Sequence, residues 1–197
     1  MIFKLVALFL IMIIIINITE INCHGRLLVP PARSSAWRED PVRFPVNYDD
    51  SSMFCGGFGK LWHENNGKCS ICGEDYALPV KQYEKGGPMY RGLVVRKYTQ
   101  GQHIETVVDV TANHYGYFEF RICNLDKETK EGEDATQECL NKQMLKDLNG
   151  KTQIYIKRGF FGKINTTLVL PTKLTCKHCV FQVFSYFHFH FIFKIIN

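Results

Sequence analysis

His24, His114 and the cysteines are the residues whose types and spacing bear on chemistry in this chain. His24 follows the stretch MIFKLVALFLIMIIIINITEINC, with Lys4 as a charged lead, an apolar run from Leu5 to Ile18 and a polar exit at Thr19, Glu20 and Asn22. That is the layout of a secretory signal peptide with Cys23 as the small residue at the cleavage bond, and a retained signal anchor is the competing reading. Cleavage after Cys23 makes His24 the first residue of an exported chain. Its α-amine and ring Nδ1 can then close a chelate on one metal ion, and a second imidazole supplies a third nitrogen. A planar all-nitrogen set suits tetragonal Cu(II), and copper heads the divalent affinity order. The α-amine, with a pKa of about 7.7–8.0, gives up its proton cheaply on binding. For a lone terminal histidine, accident is the simpler explanation.

Removal of residues 1–23 takes Cys23 away and leaves Cys55, Cys69, Cys72, Cys123, Cys139, Cys176 and Cys179. In an exported chain these read first as disulfide partners. Cys69 with Cys72 and Cys176 with Cys179 also have the C-x-x-C spacing of a tetrahedral zinc site, but export shifts the balance to disulfides. A thioredoxin-type role would need a βαβ context that the sequence does not offer. An odd thiol implies an intermolecular link, a reactive cysteine or a partner missing from this version of the chain.

These residues sit in a chain of 197, enough for one domain with a small appendage. With 46% hydrophobic and 22% charged residues it can bury a core. The net charge of +5 comes without an Arg-rich block or a basic stripe, which argues against nucleic acid as the partner.

Pro30, Pro31, Pro41 and Pro45 make residues 24–45 an extended, loop-rich lead-in. Five glycines and three cysteines between Phe54 and Asp75 predict irregular structure held by crosslinks. The pattern changes from Gly92, with LVVRKY and then alternation of Ile104, Thr106, Val108 and Val110 as in a half-buried strand. In the next strand Phe118, Phe120 and Ile122 face one way and Glu119 and Arg121 the other. The two read as adjacent strands joined by residues 112–116, which puts His114 in a turn at one end of a β-sandwich, where loops carry function. Residues 153–157 and 166–170 are further strand candidates. Asp134 with Gln137 resembles a capping box, and Leu140, Met144, Leu145 and Leu148 form one face of a short helix. The expected class is all-β, an immunoglobulin- or fibronectin-like sandwich with long disulfide-bridged loops and one short helix.

Beyond the spacing there is a resemblance. His24-Gly25-Arg26-Leu27 followed by Pro30-Pro31-Ala32-Arg33-Ser34-Ser35-Ala36-Trp37-Arg38 is similar to the start of the arthropod-type lytic polysaccharide monooxygenases (AA15-like, with a chitin-binding type-4 domain). Residues 111–123, TANHYGYFEFRIC, resemble the family's segment for the second copper histidine. Asn47-Tyr48-Asp49-Asp50, Phe54-Cys55-Gly56-Gly57 and Cys69-x-x-Cys72-Gly73-x-Asp75 match in order between them, and the resemblance runs from His24 to about Val183. It implies a histidine brace for one copper ion, with His24 ligating through its amine and Nδ1 and His114 through Nε2. Ala112 then matches the small residue that crowds one axial side of the metal. Such enzymes take electrons from an external donor and use dioxygen or hydrogen peroxide to hydroxylate a carbon at a β-1,4-glycosidic bond, without the carboxylate pair of a glycosidase. Chitin is the expected substrate, with cellulose as the alternative. A binding protein of the same fold that does not oxidise its polysaccharide is the second reading, and a disulfide-rich matrix protein the third.

The resemblance further implies a secreted, extracellular monomer with no membrane span after signal removal. His63, His103 and His178 lack the matching context, and His188 and His190 lie in the tail. Residues 184–197, FSYFHFHFIFKIIN, depart from the family, which continues with cysteines, a last strand and an axial aromatic residue. A faulty or truncated end is preferred to a membrane-seeking segment, because the tail is shorter than the roughly 20 apolar residues of a spanning helix. Tyr48, Trp37 and Trp62 are candidates for stacking on sugar rings or for the core. Asn165-Thr166-Thr167 is an N-glycosylation sequon.

Overall fold

The alternation in residues 104–110 does set one face of a strand against the core: Ile104, Thr106, Val108 and Val110 are all buried. In the computed structural model, residues 24–112, 115–187 and 192–196 are described. Eight strands form: β1 (His24–Val29), β2 (His103–Ala112), β3 (Gly116–Asn124), β4 (Lys146–Asp147), β5 (Gln153–Ile156), β6 (Gly162–Val169), β7 (Cys179–Phe187) and β8 (Ile192–Ile196). They make two four-stranded antiparallel sheets, β1-β2-β6-β4 and β5-β3-β7-β8. Leu27, Val108 and Leu168 from the first sheet meet Phe118, Phe120, Ile156, Phe181 and Val183 from the second in one core. Period-2 burial on both inner faces is what a β-sandwich requires.

β2 and β3 are not neighbours in a sheet, contrary to the hairpin reading of residues 112–116. The link crosses from one sheet to the other, so the inner residues of β2 and β3 pack against each other through the core instead of pairing edge to edge. Glu119 and Arg121 do face away from Phe118 and Phe120, yet they too are buried. A short helix, α2 (Gln137–Lys142), lies over them, and Arg121 donates to Glu119 Oε2 at 2.7 Å and to Asn141 of that helix. LVVRKY lies in a segment without strand structure, with Leu93 and Val94 exposed, because no neighbouring strand takes up its backbone groups.

The Asp134 capping box does not form. Thr136 is the N-cap, its hydroxyl accepting from Cys139 N at 3.1 Å, and the helix stops at Lys142, leaving Met144 and Leu148 exposed. Asp134 is committed elsewhere: Arg33 grips it through two bonds of 2.6 and 2.8 Å, and the Lys85 and Ala135 amides donate to it. A shorter helix, α1 (Leu125–Glu128), follows β3.

Disulfides join Cys55 to Cys69, Cys123 to Cys139 and Cys176 to Cys179. Closing loops of such length contributes about 3 kcal/mol for a loop of roughly 15 residues, which suits segments that bury little regular core. The first crosslink carries its own small cluster, Cys55, Leu61 and Cys69 with Trp62 against them, so Trp62 belongs to packing. Only one of the two C-x-x-C pairs is joined, because Cys69 turns to Cys55 and leaves Cys72 as the free thiol among the described residues. Burial pushes the Cys72 thiol well above its ordinary pKa, which keeps it protonated and unreactive.

Burial raises the Asp134 carboxyl, but the Arg33 bonds outweigh it and hold the pKa below the ordinary value. A carboxyl depressed on folding stabilises fully above its unfolded pKa of about 3.9, and that share is lost as pH falls through the lower folded value. Asp134→Asn should cost about 3 kcal/mol at pH 7, since it leaves Arg33 buried without its partner. Urea melts from pH 7 downward should also show a shallower loss of stability below about pH 4 than in the wild type.

Candidate metal centre

His24 opens the edge strand β1, and its placement follows from pairing on both sides of that strand. On one side it stands across from Ala112, the last residue of β2, with an irregularity before the next pair, Gly25 with Val110. Thr111 is thereby left over, a β-bulge where β2 turns out of the sheet, a feature found at sheet edges and next to active sites. On the other side Gly25 N donates to Ser51 O at 3.1 Å, and Gly25 bridges Ser52 in parallel. The half-buried His24 ring meets Phe54 edge-on, with centroids 4.7 Å apart.

Two residues along, Arg26 ties the strand to a wholly buried carboxylate. Its Nη1 donates to Asp50 at 2.6 Å and its Nε to Asp109 of β2 at 3.0 Å. Asp50 also accepts from Trp37 Nε1 at 3.2 Å and from Arg38 at 2.5 and 3.0 Å. Arg38 in turn lies 4.5 Å over the Trp37 ring, and Trp37 meets Tyr48 edge-on at 5.3 Å. Burial disfavours the Arg26 charge, and the bonds to Asp50 and Asp109 outweigh it and raise its pKa. Five donor groups on two arginines and a tryptophan thus leave the Asp50 charge well compensated.

Ala112 therefore shares the His24 end of the sandwich. Asn113 and His114 lie outside the described residues, as do residues 1–23 with the proposed cleavage bond, and His188 and His190. Tyr115, directly after His114, has φ +65 and is 45% exposed. A tyrosine in the left-handed region is costly, and such residues concentrate at functional sites. Among the described residues no three His, Cys, Asp or Glu side chains come together as a metal site. Two ligands of the expected brace fall outside such a search, since one is a main-chain amine and another is His114. What is described of the donor set fits copper: a neutral imidazole, held by an aromatic contact at an open strand end, on the residue whose amine export would free.

Sequence reasoning quoted Asp50 and Phe54 without giving either a task, and it left Arg26 as part of a motif. A second acidic residue straight after Asp49, in a loop followed by Ser-Ser, carried the signal for a buried acceptor only in hindsight of its arginine partners. Tyr48 is 85% exposed and so stands on the surface, while Trp37 is tied to Asp50 beneath it.

Two sheets around one core, with crosslinked loops and a candidate site at one end, define a β-sandwich of the immunoglobulin-like class. The model of the lytic polysaccharide mono-oxygenase, cellulose-degrading, family matches residues 24–190. The chain belongs to that family of copper-dependent polysaccharide oxidoreductases. The AA15 lytic polysaccharide monooxygenase of Thermobia domestica, solved in the Cu(I) state, is 34% identical. It superposes with a TM-score of 0.76 over 88% of this chain and 95% of its own. No curated protein matches the chain.

Asp50→Ala should cost about 3 kcal/mol by leaving Arg26 and Arg38 without their acceptor. Hydrogen exchange should then accelerate most at the Gly25 and Leu27 amides of β1, whereas Asp50→Asn keeps part of both effects.

Proposed function

We propose that this chain is an exported copper-dependent monooxygenase that cleaves chitin oxidatively, with His24 and His114 as the copper ligands. The pairing of His24 with Ala112, two residues from His114 in sequence, is the observation that carries the reading. Cleavage after Cys23 frees the α-amine of His24, which then ligates together with the ring, and Ala112 limits access along one axial side. The domain spans residues 24–183, and the chain acts as an extracellular monomer. Among the described residues no helix is long and apolar enough to cross a membrane.

Bound copper would cycle between Cu(II) and Cu(I) with an external electron donor and supply the redox chemistry toward dioxygen or hydrogen peroxide. The chain's own residues hold the donors. Phe54 fixes the His24 ring, Arg26 and Asp50 fix the strand that carries it, and Asp109 ties that strand to β2. An edge strand fastened on both sides gives the ligands little freedom to lose on binding, which is how preorganisation raises affinity. Exposed Tyr48 and Tyr115 flank this end and offer ring faces to the apolar face of a sugar. Chitin is preferred on the likeness to the arthropod-type sequences, and the family model's own description makes cellulose the alternative.

The test incubates the secreted protein with chitin and with cellulose, each with ascorbate, with and without copper. Oxidised oligosaccharides from chitin that require copper are expected. His24→Ala or His114→Ala should lower copper affinity by more than the roughly 10–100-fold that outer partners cost. Oxidised products from cellulose alone would overturn the substrate. Tight copper binding with no oxidised product from either would identify a polysaccharide-binding protein, and copper affinity indifferent to both histidines would refute the brace. Tyr48→Ala should weaken chitin binding about fivefold, in line with the ~1 kcal/mol of an aromatic contact, with copper affinity unchanged.

A further inference from the structure

The first sheet leaves one edge open. β4 is only two residues long and pairs Lys146 with Val169 and Asp147 with Leu168, so residues 162–167 of β6 have β2 on one side and no strand on the other among the described residues. An open edge invites pairing with another chain, and proteins blunt it with charge or cover. Lys163 is one charge on this edge.

The sequon lies on that stretch. Register places Thr166 and Leu168 opposite the inward-facing Thr106 and Ile104, so Asn165 and Thr167 point to the outer face, opposite Val107 and Glu105. Asn165 is exposed. Its amide and the Thr167 hydroxyl thus stand on one face, as the period of two requires, away from the core and away from the His24 end of β2. The loop carrying Trp37, Arg38 and Asp50 covers the Arg26 part of the same outer face and leaves the β6 part open.

We propose that Asn165 carries an N-linked glycan that shields the open edge of β6 from pairing with a second copy of the chain. This rests on the export reading alone and is independent of copper. In the transfer, Asn165 Nδ2 bonds to the anomeric carbon of an oligosaccharide carried on a lipid diphosphate. The anomeric C–O bond to the diphosphate breaks, the lipid diphosphate leaves, and one amide proton is released. No electron changes hands. A bulky, hydrated chain on this face keeps another strand from approaching residues 162–167.

The test is made on the full chain secreted from a eukaryotic host. Peptide mass spectrometry after enzymatic deglycosylation in heavy-oxygen water marks a formerly glycosylated Asn165 as labelled aspartate. Thr167→Ser should keep the mark, and Asn165→Gln and Thr167→Ala should abolish it. Light scattering of the folded protein before and after deglycosylation then reads the edge. We expect the glycosylated form to stay monomeric and the deglycosylated form to associate at a concentration at least tenfold lower. Because the glycan is removed after folding, the comparison does not depend on a variant that folds. An unmodified Asn165 in the secreted chain would overturn the site. Equal association before and after removal would overturn the shielding. Copper affinity should be the same in both forms, so failure here and failure of the copper reading are separate results.

Discussion

The site depends on one buried carboxylate. Asp50 has no exposed surface and accepts from Arg26, Arg38 and Trp37, and through Arg26 it fixes the strand whose first residue is His24. An edge strand two residues from its end has few backbone bonds to hold it, and fraying there is the ordinary outcome. Here the side chain of Arg26 reaches both a loop and β2, so fraying would strand two arginines and a carboxylate together. A charge-assisted network of this kind gains less in net stability than its bond count implies. Its value lies in fixing where His24 stands.

The remaining architecture follows from the same need to present one end of a sandwich. The inner faces of β2 and β3 give the core its two walls, and the link between them carries His114 across from one sheet to the other. Disulfides then hold loops that have little core of their own, and the Arg33–Asp134 pair fastens the segment before α2 to the lead-in. β8 closes the open side of β7 and lies beside β1, so residues 192–196 contribute a strand despite their atypical composition.

Much of this was legible in the sequence because a half-buried strand writes its period directly: Ile104 to Val110 and Phe118 to Ile122 read correctly as two inward faces. Their relation did not, because a short link between two alternating runs looks the same whether the strands pair or cross between sheets. The capping box failed for a different reason. Asp134 and Thr136 compete for one helix start, and only the distant Arg33 decides between them. Asp50 was invisible for the same cause, since its three partners are apart in sequence and their convergence is a property of the fold. The histidines were legible through position and family likeness, and His24 through its place at an export junction.

The central claim is that the freed amine of His24 is itself a copper ligand. The most direct measurement is the Cu(II) affinity and electron paramagnetic resonance spectrum of the chain beginning at His24, set against the same chain with one alanine placed ahead of it. The account predicts an axial spectrum with nitrogen couplings for the first, and for the second a changed spectrum and an affinity at least 100-fold weaker, about 2.7 kcal/mol. The same spectrum and affinity in both would contradict it.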